Sequence, residues 1–330
     1  MPTIRILSET ELRRAVGLDS DTVDCVEQAF RLLATTDVAM PPIVSFEVPD
    51  YNGEVDMKTA YVPGIDSFAI KMSTGFFDNP KLGLPSLSGL MVLFSAKTGQ
   101  VEAVLLDNGY LTDIRTAAAG AVAAKWLSRE ESATAGIIGT GLQARLQLKA
   151  LTLVRPIKRA LIWGRDPEKA AVCAEEVGRD LGIDAAAVPD IGDVMAAGDI
   201  VVTTTPSTEP LVTASQLRPG MHITAMGSDA DYKVEIDPAA LAAADLYVCD
   251  RVAQCQTRGE LRMALETLSV EADAEWPELG DIIAGKVPGR TDAAQVTICD
   301  LTGTGVQDTA IATAASRLAA EAGAGTSFES

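Results

Sequence analysis

Lys71 lies in the apolar segment Phe68-Ala-Ile-Lys-Met, where a lysine is costly unless it is paired or functional. Strand alternation puts it on the same face as Ala69. Desolvation can lower the pKa of such a lysine and make it an acid or base, or the lysine can stay charged and bind a carboxylate. The structural alternative is a lysine on an edge strand whose stem covers apolar surface.

Arg115 and Asp229 are further candidates because of their predicted positions. We expect Arg115 in the first turn of a helix capped by Thr112 or Asp113, where a cation opposes the helix dipole. That position suggests an anionic ligand, and a salt bridge to Asp113 or another acid is the alternative. Asp229 follows a predicted strand at 222–226, at the carboxyl strand end where doubly wound sheets bind ligands. Loop aspartates also serve as turn formers.

Asp56 and Lys58 are two residues apart in a predicted strand at 55–62, so they share a face. They form either an exposed ion pair or two polar groups that line a pocket. His222, the one histidine, begins its strand at the end opposite Asp229, and we interpret it as structural. The five cysteines are scattered without a C-x-x-C pair, so we expect no metal site.

A glycine-rich turn, Gly139-Thr140-Gly141-Leu142-Gln143-Ala144, has the G-x-G-x-x-A pattern of dinucleotide-binding sites. It follows a predicted strand at 133–138 and opens a predicted helix. The first glycine permits the tight turn, the second lets the backbone approach a pyrophosphate, and the alanine allows close packing of helix on strand. The helix N-terminus offers free N–H groups to the phosphates. The sequence therefore predicts a bound dinucleotide.

The second strand of this unit ends Leu161-Ile-Trp-Gly-Arg-Asp166, and its end selects the cofactor. NAD-binding units carry an acid there, and the expected place is Gly164. Arg165 could pair with a 2′-phosphate while the glycine leaves room for it, so we favour NADP(H) over NAD(H). Asp166 is the ribose-binding acid if the strand is longer, and the structural alternative is that residues 165–167 only cap the next helix.

The elements that position these residues fall into two patterns. Before residue 130, alternating segments predict an antiparallel or mixed sheet with a helix packed on it. After it, strands and helices alternate, which predicts a Rossmann-type, doubly wound parallel sheet. The fold class is therefore α/β with an α+β N-terminal domain. The last helix, from Gly305, lies beyond the parallel sheet.

The chain is strongly acidic, with 46 Asp and Glu residues against 27 Lys and Arg residues and a net charge of −19. That charge argues against nucleic acid or an anionic membrane as a partner. We see neither a secretory signal nor a run long enough to span a membrane, so we expect a cytoplasmic protein.

Several motifs together resemble the ornithine cyclodeaminase/µ-crystallin family over essentially the whole chain. They are Lys71 in its apolar strand, Leu111-Thr-Asp-Ile-Arg-Thr-Ala-Ala118, the fingerprint from Gly136 to Ala144, Ala225-Met-Gly-Ser-Asp229 and Thr302-Gly-Thr-Gly-Val-Gln-Asp308. The resemblance implies a homodimer built through a substrate-binding domain at 1–128 and 306–330. It also implies a Rossmann domain at 129–305 and an active site in the cleft between the domains.

In family terms Lys71 and Arg115 resemble the groups that hold the substrate α-carboxylate, and Asp229 resembles the acid/base residue at the reacting carbon. Asp56 falls where the cyclodeaminases carry a glutamate. The residues expected to contact the cofactor lie in the fingerprint, at strand ends and in the last glycine turn: Thr116, Gly139, Thr140, Gly141, Leu142, Gln143, Gly164, Arg165, Thr204, Thr205, Met226, Gly227, Gly303 and Gly305.

The sequence departs from the family pattern at two places. Ile43-Val44-Ser45 stand where many members have an arginine that binds the carboxylate, and Lys58 stands where many have an apolar residue. The lysine is similar to that of iminosuccinate reductases, and the chain also resembles the cyclodeaminase-like proteins encoded with ectoine-degradation enzymes. If Lys58 faces the pocket, it favours a dicarboxylate imine over ornithine, although Asp56 could neutralise that preference.

The resemblance implies an NAD(P)H-dependent reductase of an α-imino acid, with iminosuccinate as one candidate substrate. The first alternative is cyclodeamination of a diamino acid, in which bound NAD⁺ takes and returns a hydride while ammonia is released. The second alternative is a non-catalytic, NADPH-dependent small-molecule binder, against which the presence of Lys71, Arg115 and Asp229 argues.

Overall fold

A computed structural model describes residues 3–271 and 273–329 of the chain. The chain forms two compact units, the first made of Met1–Gly17, Asp24–Arg115 and Thr304–Ser330, and the second of Leu18–Val23 and Thr116–Gly303. The domain boundaries expected from the sequence, 1–128 with 306–330 and 129–305, stay a prediction. Residues 1, 2 and 330 at the ends of the first predicted domain lie outside the described residues.

The strands follow one another along the chain as β1 Thr3–Ser8, β2 Val44–Val48, β3 Gly53–Ala60, β4 Ser67–Phe76, β5 Leu87–Ser95, β6 Val101–Leu106, β7 Thr134–Ile138, β8 Arg159–Trp163, β9 Asp184–Ala187, β10 Ile200–Thr203, β11 His222–Ala225, β12 Leu246–Cys249, β13 Thr297–Asp300 and β14 Thr326–Glu329.

The helices are α1 Glu9–Ala15, α2 Ser20–Thr35, α3 Tyr110–Leu127, α4 Leu142–Val154, α5 Pro167–Leu181, α6 Ile191–Ala197, α7 Pro238–Ala243, α8 Val252–Cys255, α9 Glu260–Glu266, α10 Leu279–Ile283 and α11 Gly305–Glu321. In the described part of the chain, none of them is long and apolar enough to cross a membrane.

The first unit is built on a mixed sheet with the strand order β14-β1-β6-β5-β4-β3-β2. Neighbouring strands pair antiparallel, apart from the parallel pair of β1 and β6. Helix α11 packs on β3 and β4 and contributes Val306 and Ala310 to a small apolar core with Ala60 and Val62. Strand β4 lies between β3 and β5, so a residue on it is in the interior of the sheet.

The second unit is built on a parallel sheet with the order β12-β13-β11-β10-β7-β8-β9. All the pairs between its strands are parallel. The strand order reverses between β7 and β10, which is the switch point at which doubly wound sheets bind ligands. The α/β fold class with a Rossmann-type sheet is thereby confirmed.

The start of α3 differs from the sequence prediction, and aspartates cap both α2 and α3. At α2, Asp19 supplies the cap, since its Oδ1 accepts a hydrogen bond from the backbone N–H of Thr22 at 3.0 Å. Helix α3 already begins at Tyr110, and Asp107 Oδ2 accepts from the backbone N–H of Leu111 at 2.8 Å. Thr112 and Asp113 therefore lie inside α3 and do not cap it.

Two strands have no counterpart in the sequence prediction. Strand β9, Asp-Ala-Ala-Ala, has neither β-branched nor aromatic residues, which are the usual signal of a strand. Strand β14 is exposed along its length and shows no buried face. It forms because residues 326–329 pair with β1 as an added edge strand, which is a tertiary contact that local sequence does not encode.

Candidate active site

Two buried lysines are cross-strand neighbours on adjacent strands of the first unit's sheet. Lys58 on β3 is directly opposite Lys71 on β4, and their relative exposures are 6% and 2%. Ser67, Ala69 and Lys71 form the buried face of the first half of β4, as strand alternation predicts. The interior position of β4 removes the alternative of an edge lysine. The burial of Lys58 likewise removes the alternative of an exposed ion pair with Asp56.

Helix α11 brings a carboxylate to these lysines. Asp308 is fully buried, and its Oδ1 lies 3.0 Å from Arg115 Nε while its Oδ2 lies 3.8 Å from Lys71 Nζ. Gln307 Oε1 accepts a further hydrogen bond from Arg115 at 3.1 Å. We call Lys58, Lys71 and Arg115, together with Asp308, the cation cluster.

Close backbone packing fixes the position of Asp308. A Cβ on Gly305 would collide with the backbone carbonyl of Thr59 on β3, so only glycine lets the start of α11 approach the sheet this closely. Thr309 Oγ1 donates to the carbonyl of Ala60 at 2.8 Å and accepts from the N–H of Ala69 at 3.1 Å. We expected Gly305 to contact the cofactor, and in the structure it packs against β3.

The cation cluster has an excess of positive charge. When ionised it carries three positive charges against one negative charge, and two further acids, partly buried Asp56 and fully buried Asp107, interact with Lys71. Burial lowers the pKa of Lys71 to about 7; Asp308 opposes that shift, while Arg115 and Lys58 reinforce it. Such a cluster is favourable for an anion, because a bound carboxylate would compensate the buried charge.

Two polar atoms beside Arg115 are buried and lack a hydrogen-bond partner among the residues that the structure describes. They are Gln307 Nε2, which is a donor, and Asp308 Oδ2, which is an acceptor whose nearest cation is Lys71 Nζ at 3.8 Å. Buried groups of this kind are costly when they stay unpaired, so they are typical of sites that are completed by a ligand.

The position of Arg115 in its helix differs from the predicted one. Because α3 begins at Tyr110, Arg115 is in the second turn, where the helix dipole has little effect. Its ion pair is with Asp308 and not with Asp113. Arg115 thus remains a candidate because of its burial and its neighbours.

The glycine-rich turn of the second unit has the geometry expected for a dinucleotide. Gly139 has a φ of +130°, and a Cβ there would collide with Thr204 Oγ1. A Cβ on Gly141 would meet nothing within 4 Å, so the backbone at the start of α4 borders open space. Ala144 is fully buried, while Leu142 is exposed and Gln143 is partly exposed.

The end of β8 matches the structural alternative at Asp166 and differs from the prediction at Gly164. The strand ends at Trp163, and Asp166 Oδ1 accepts from the backbone N–H groups of Glu168 and Lys169, so this acid caps α5. The space that Gly164 leaves is filled by the methyl group of Thr140, not held open for a phosphate. Arg165 is exposed and makes no ion pair with any described residue.

Asp229 lies in the loop after β11, as predicted. Lys233 Nζ donates to Asp229 Oδ1 at 2.8 Å, and Ser228 Oγ donates to the carbonyl of Lys233 at 2.9 Å. About half of the Asp229 side chain is exposed, whereas Lys233 is nearly buried.

The remaining expected cofactor residues lie at the ends of other elements. Thr204 and Thr205 follow β10, and Met226 and Gly227 follow β11. The carbonyl of Thr116 on α3 accepts from Gln147 at 3.1 Å. The N–H of Gly303 donates to Asp250 at 2.7 Å, so this amide already has a partner.

His222 is structural, as we interpreted it. Its two ring nitrogens lie 2.8 Å from Thr297 Oγ1 and 3.0 Å from Thr224 Oγ1. Burial lowers the pKa of His222 to about 3, so the ring is neutral at physiological pH. The structure offers no group of three metal-ligating side chains among the described residues.

Sequence reasoning missed the roles of four residues. Asp308 and Lys233 pair with predicted site residues, Gln307 binds Arg115, and Glu235 binds two strand ends. Lys233 is only four residues from Asp229 in the sequence, so its proximity to Asp229 could have been predicted. No local signal could link Asp308 to Arg115, because 193 residues separate them.

A sequence model of the ornithine cyclodeaminase/mu-crystallin family matches residues 4–321. This chain belongs to that family. The predicted resemblance is therefore confirmed.

Within the ornithine cyclodeaminase/mu-crystallin family, the chain is 57% identical to an uncharacterized cyclodeaminase of Sinorhizobium fredii over 331 residues, which cover both proteins completely. Two solved structures are also similar. The Thermococcus litoralis Delta(1)-pyrroline-2-carboxylate reductase, in complex with NADH and L-proline, has a TM-score of 0.92 and 30% identity, with 98% of this chain and 99% of that chain covered. The iminosuccinate reductase of Paracoccus denitrificans, in complex with NAD⁺, has a TM-score of 0.91 and 30% identity, with both chains covered completely.

Proposed function

We propose that this protein is an NAD(P)H-dependent reductase of an α-imino acid. The observation that carries the proposal is the cation cluster, in which Lys58, Lys71 and Arg115 are buried around Asp308. Buried positive charge of this density is unfavourable without an anion, and an α-carboxylate is the anion that an amino-acid substrate supplies. The two similar reductases from Thermococcus litoralis and Paracoccus denitrificans support the same reaction class.

In the proposed reaction, Lys71 and Arg115 hold the substrate carboxylate by charge-assisted hydrogen bonds and so orient the C=N bond. The reduced nicotinamide, when bound, supplies the hydride that the imine carbon accepts. Asp229, held by Lys233, orients the substrate nitrogen or protonates it directly or through a water molecule. One hydride and one proton are added, and the imine becomes an amine.

The open space at Gly141 and the uncapped start of α4 fit the pyrophosphate of a dinucleotide. For the adenosine end we favour NADP(H), because exposed Arg165 is available to a 2′-phosphate. The NADH and NAD⁺ in the two similar structures support NAD(H) as the alternative.

We further propose that the substrate is a dicarboxylate imine such as iminosuccinate. Lys58 adds a second buried ammonium group opposite Lys71, which is more than one carboxylate requires. The distal ammonium of ornithine would be repelled there. Asp56, which is partly buried on the same strand, reduces this preference.

A homodimer is part of the same proposal. Edge strand β2 exposes Val44 and Phe46 by more than half, and an exposed apolar edge strand tends to associate. Light scattering of the purified protein should therefore give twice the mass of one chain. Phe46→Asp should lower that mass toward one chain.

Cyclodeamination of a diamino acid is the second candidate, favoured by the 57% identity to the Sinorhizobium fredii protein. One experiment separates the two reactions. The purified protein is assayed with NADH and NADPH against imines formed from 2-oxo acids and ammonia, and with NAD⁺ against ornithine and lysine. A reductase consumes the reduced cofactor stoichiometrically, whereas a cyclodeaminase releases ammonia without net change in the cofactor. Absence of both activities would refute the proposal.

A further inference from the structure

Glu235 is a fully buried carboxylate that joins the ends of two neighbouring strands in the second unit. Its Oε1 accepts hydrogen bonds from Thr205 N and Thr205 Oγ1 at 2.6 and 2.7 Å. Its Oε2 accepts from Thr203 Oγ1 at 2.6 Å and from Gly227 N at 2.8 Å. Each oxygen thus receives one backbone N–H from the end of β10 or β11 and one hydroxyl.

The carboxylate also closes the loop that carries Asp229. That loop follows β11, and Glu235 lies after Asp229 along it, with its Oε2 accepting a hydrogen bond from the Gly227 amide. A Cβ on Gly227 would collide with the carbonyl of Thr205 and would lie 2.6 Å from Glu235 Oε2, so backbone and carboxylate are in tight contact. The Glu235 side chain therefore fixes the loop after β10 relative to the loop after β11.

Two further buried acids, Glu260 and Asp300, are linked to the backbone of Glu235 by successive hydrogen bonds. Glu260 Oε1 accepts from the backbone N–H of Glu235 at 2.9 Å, and Asp300 Oδ2 accepts from the backbone N–H of Glu260 at 2.8 Å. Burial raises the pKa of Glu260 well above its ordinary value, and the charges of Asp300 and Glu235 raise it further. Both effects favour the neutral form of Glu260 over the charged form.

The strands that Glu235 joins belong to one half of the doubly wound sheet. The fingerprint and the adenosine-binding strand end belong to β7 and β8, on one side of the switch point. Strands β10 and β11 are on the other side, where the second mononucleotide half binds. In a nicotinamide dinucleotide, that half is the nicotinamide mononucleotide.

We infer that Glu235 is the positioning residue for the nicotinamide end of the cofactor, because it holds the loops after β10 and β11 at a fixed distance. This inference rests on the proposed dinucleotide function. It assigns to Glu235 a role that acts through the backbone of Thr205 and Gly227 and not through contact with the reacting atoms. An amide at this position would point N–H groups at N–H donors, so Glu235→Gln should let the two loops separate.

The test compares two cofactor fragments. When the Glu235→Gln variant is titrated with the preferred reduced dinucleotide, its Kd should be at least about tenfold higher than that of the wild type. ADP-ribose, or its 2′-phosphate form, lacks the nicotinamide and should bind within about twofold of the wild type. A role in folding alone would weaken both ligands equally. The conservative control is Glu260→Gln, which keeps the acceptor for Glu235 N and should leave both affinities unchanged.

A second variant keeps the inference testable if Glu235→Gln does not fold. Thr203→Val preserves shape but removes one donor to Glu235 Oε2, and it should weaken binding of the full dinucleotide selectively by about threefold. Equal weakening of both ligands, or unchanged binding of the full dinucleotide in the folded variants, would overturn the inference. A wild-type protein that binds neither NADH nor NADPH would instead refute the proposed function itself.

Discussion

Lys58 lies directly opposite Lys71 in the antiparallel pair of β3 and β4, and both side chains are nearly inaccessible to solvent. Like charges at opposed cross-strand positions destabilise a sheet, and burial adds a desolvation cost. Asp308 and partly buried Asp56 oppose this charge; Asp308 divides its oxygens, with Oδ1 3.0 Å from Arg115 Nε and Oδ2 3.8 Å from Lys71 Nζ. The arrangement is costly for folding and favourable for an anionic ligand, which is typical of functional sites.

The first prediction concerns proton uptake on binding. The pKa of Lys71 is about 7 without a ligand, and a bound carboxylate should raise it. A non-reactive dicarboxylate such as succinate should therefore bind with uptake of a proton at pH 8, and its affinity should fall by up to about tenfold per pH unit above pH 7. Calorimetry in buffers of different ionisation enthalpy measures the uptake. Lys71→Met should abolish it, and an uptake that survives in this variant would contradict the assignment.

The same group should affect stability in the absence of a ligand. Lys71 has a pKa near 7 in the folded chain and an ordinary value of 10.5. Between these values the unfolded chain binds more protons, so the contribution of Lys71 to the free energy of unfolding rises with pH. Below pH 7 the full penalty of the buried charge applies. Urea unfolding of the wild type and Lys71→Met between pH 6 and 10 should therefore give a stability difference that shrinks as the pH rises.

The second prediction tests the substrate class. Lys58→Ala should raise the KM for a dicarboxylate imine by about tenfold or more, because one charge-assisted hydrogen bond is lost. The KM for the imine of pyruvate, which has one carboxylate, should change little. Lys97→Ala, at an exposed lysine paired with Asp66, is the matched control. Equal increases for both substrates would exclude a specific contact with a second carboxylate.

The elements that carry these residues could be predicted to different degrees. The strand, glycine turn and helix around Gly139 follow from local sequence, because each part has its own steric requirement. The buried face of β4 follows from the alternation around Lys71. Neither pattern reports which distant residue packs against it, so the ion pairs with Asp308 could not be predicted.

The predictions of the α3 cap and of the space beside Gly164 were wrong for a common physical reason. Asp107 caps α3 in place of Thr112 or Asp113 because polar residues near a helix start offer several equivalent caps. Thr140 fills the space beside Gly164 because the fingerprint and the end of β8 pack on each other. Such choices depend on tertiary packing, which composition and periodicity do not contain.

The third prediction concerns cofactor choice. Arg165→Ser should lower the affinity for NADPH by about tenfold or more and leave that for NADH nearly unchanged, because only the 2′-phosphate needs the guanidinium. Arg159→Ser, at the other end of β8, removes a similar charge far from the strand end and serves as control. A wild-type preference for NADH that Arg165→Ser does not alter would assign this protein to NAD(H).

The fourth prediction separates Asp229 from its neighbours on the loop. Asp229→Asn keeps the size of the side chain but removes the carboxylate that Lys233 binds at 2.8 Å. We expect kcat to fall by at least about a hundredfold, as is usual when a general acid or base is lost, with cofactor affinity retained. Asp231→Asn alters an exposed acid on the same loop and should leave kcat unchanged. A comparable loss in both variants would point to loop disorder in place of chemistry.

The last prediction compares two glycines that the sequence alone treats alike. Gly141 has a φ of −80° and open space where a Cβ would lie, so Gly141→Ala should leave the melting temperature unchanged. The added methyl group should nevertheless weaken dinucleotide binding, because the pyrophosphate must approach this backbone closely. Gly305→Ala should instead lower the free energy of unfolding by about 1–3 kcal/mol, since its Cβ would collide with the backbone of Thr59. Thermal unfolding with and without NADH or NADPH measures both effects. If Gly141→Ala binds the dinucleotide as tightly as the wild type, the pyrophosphate lies elsewhere.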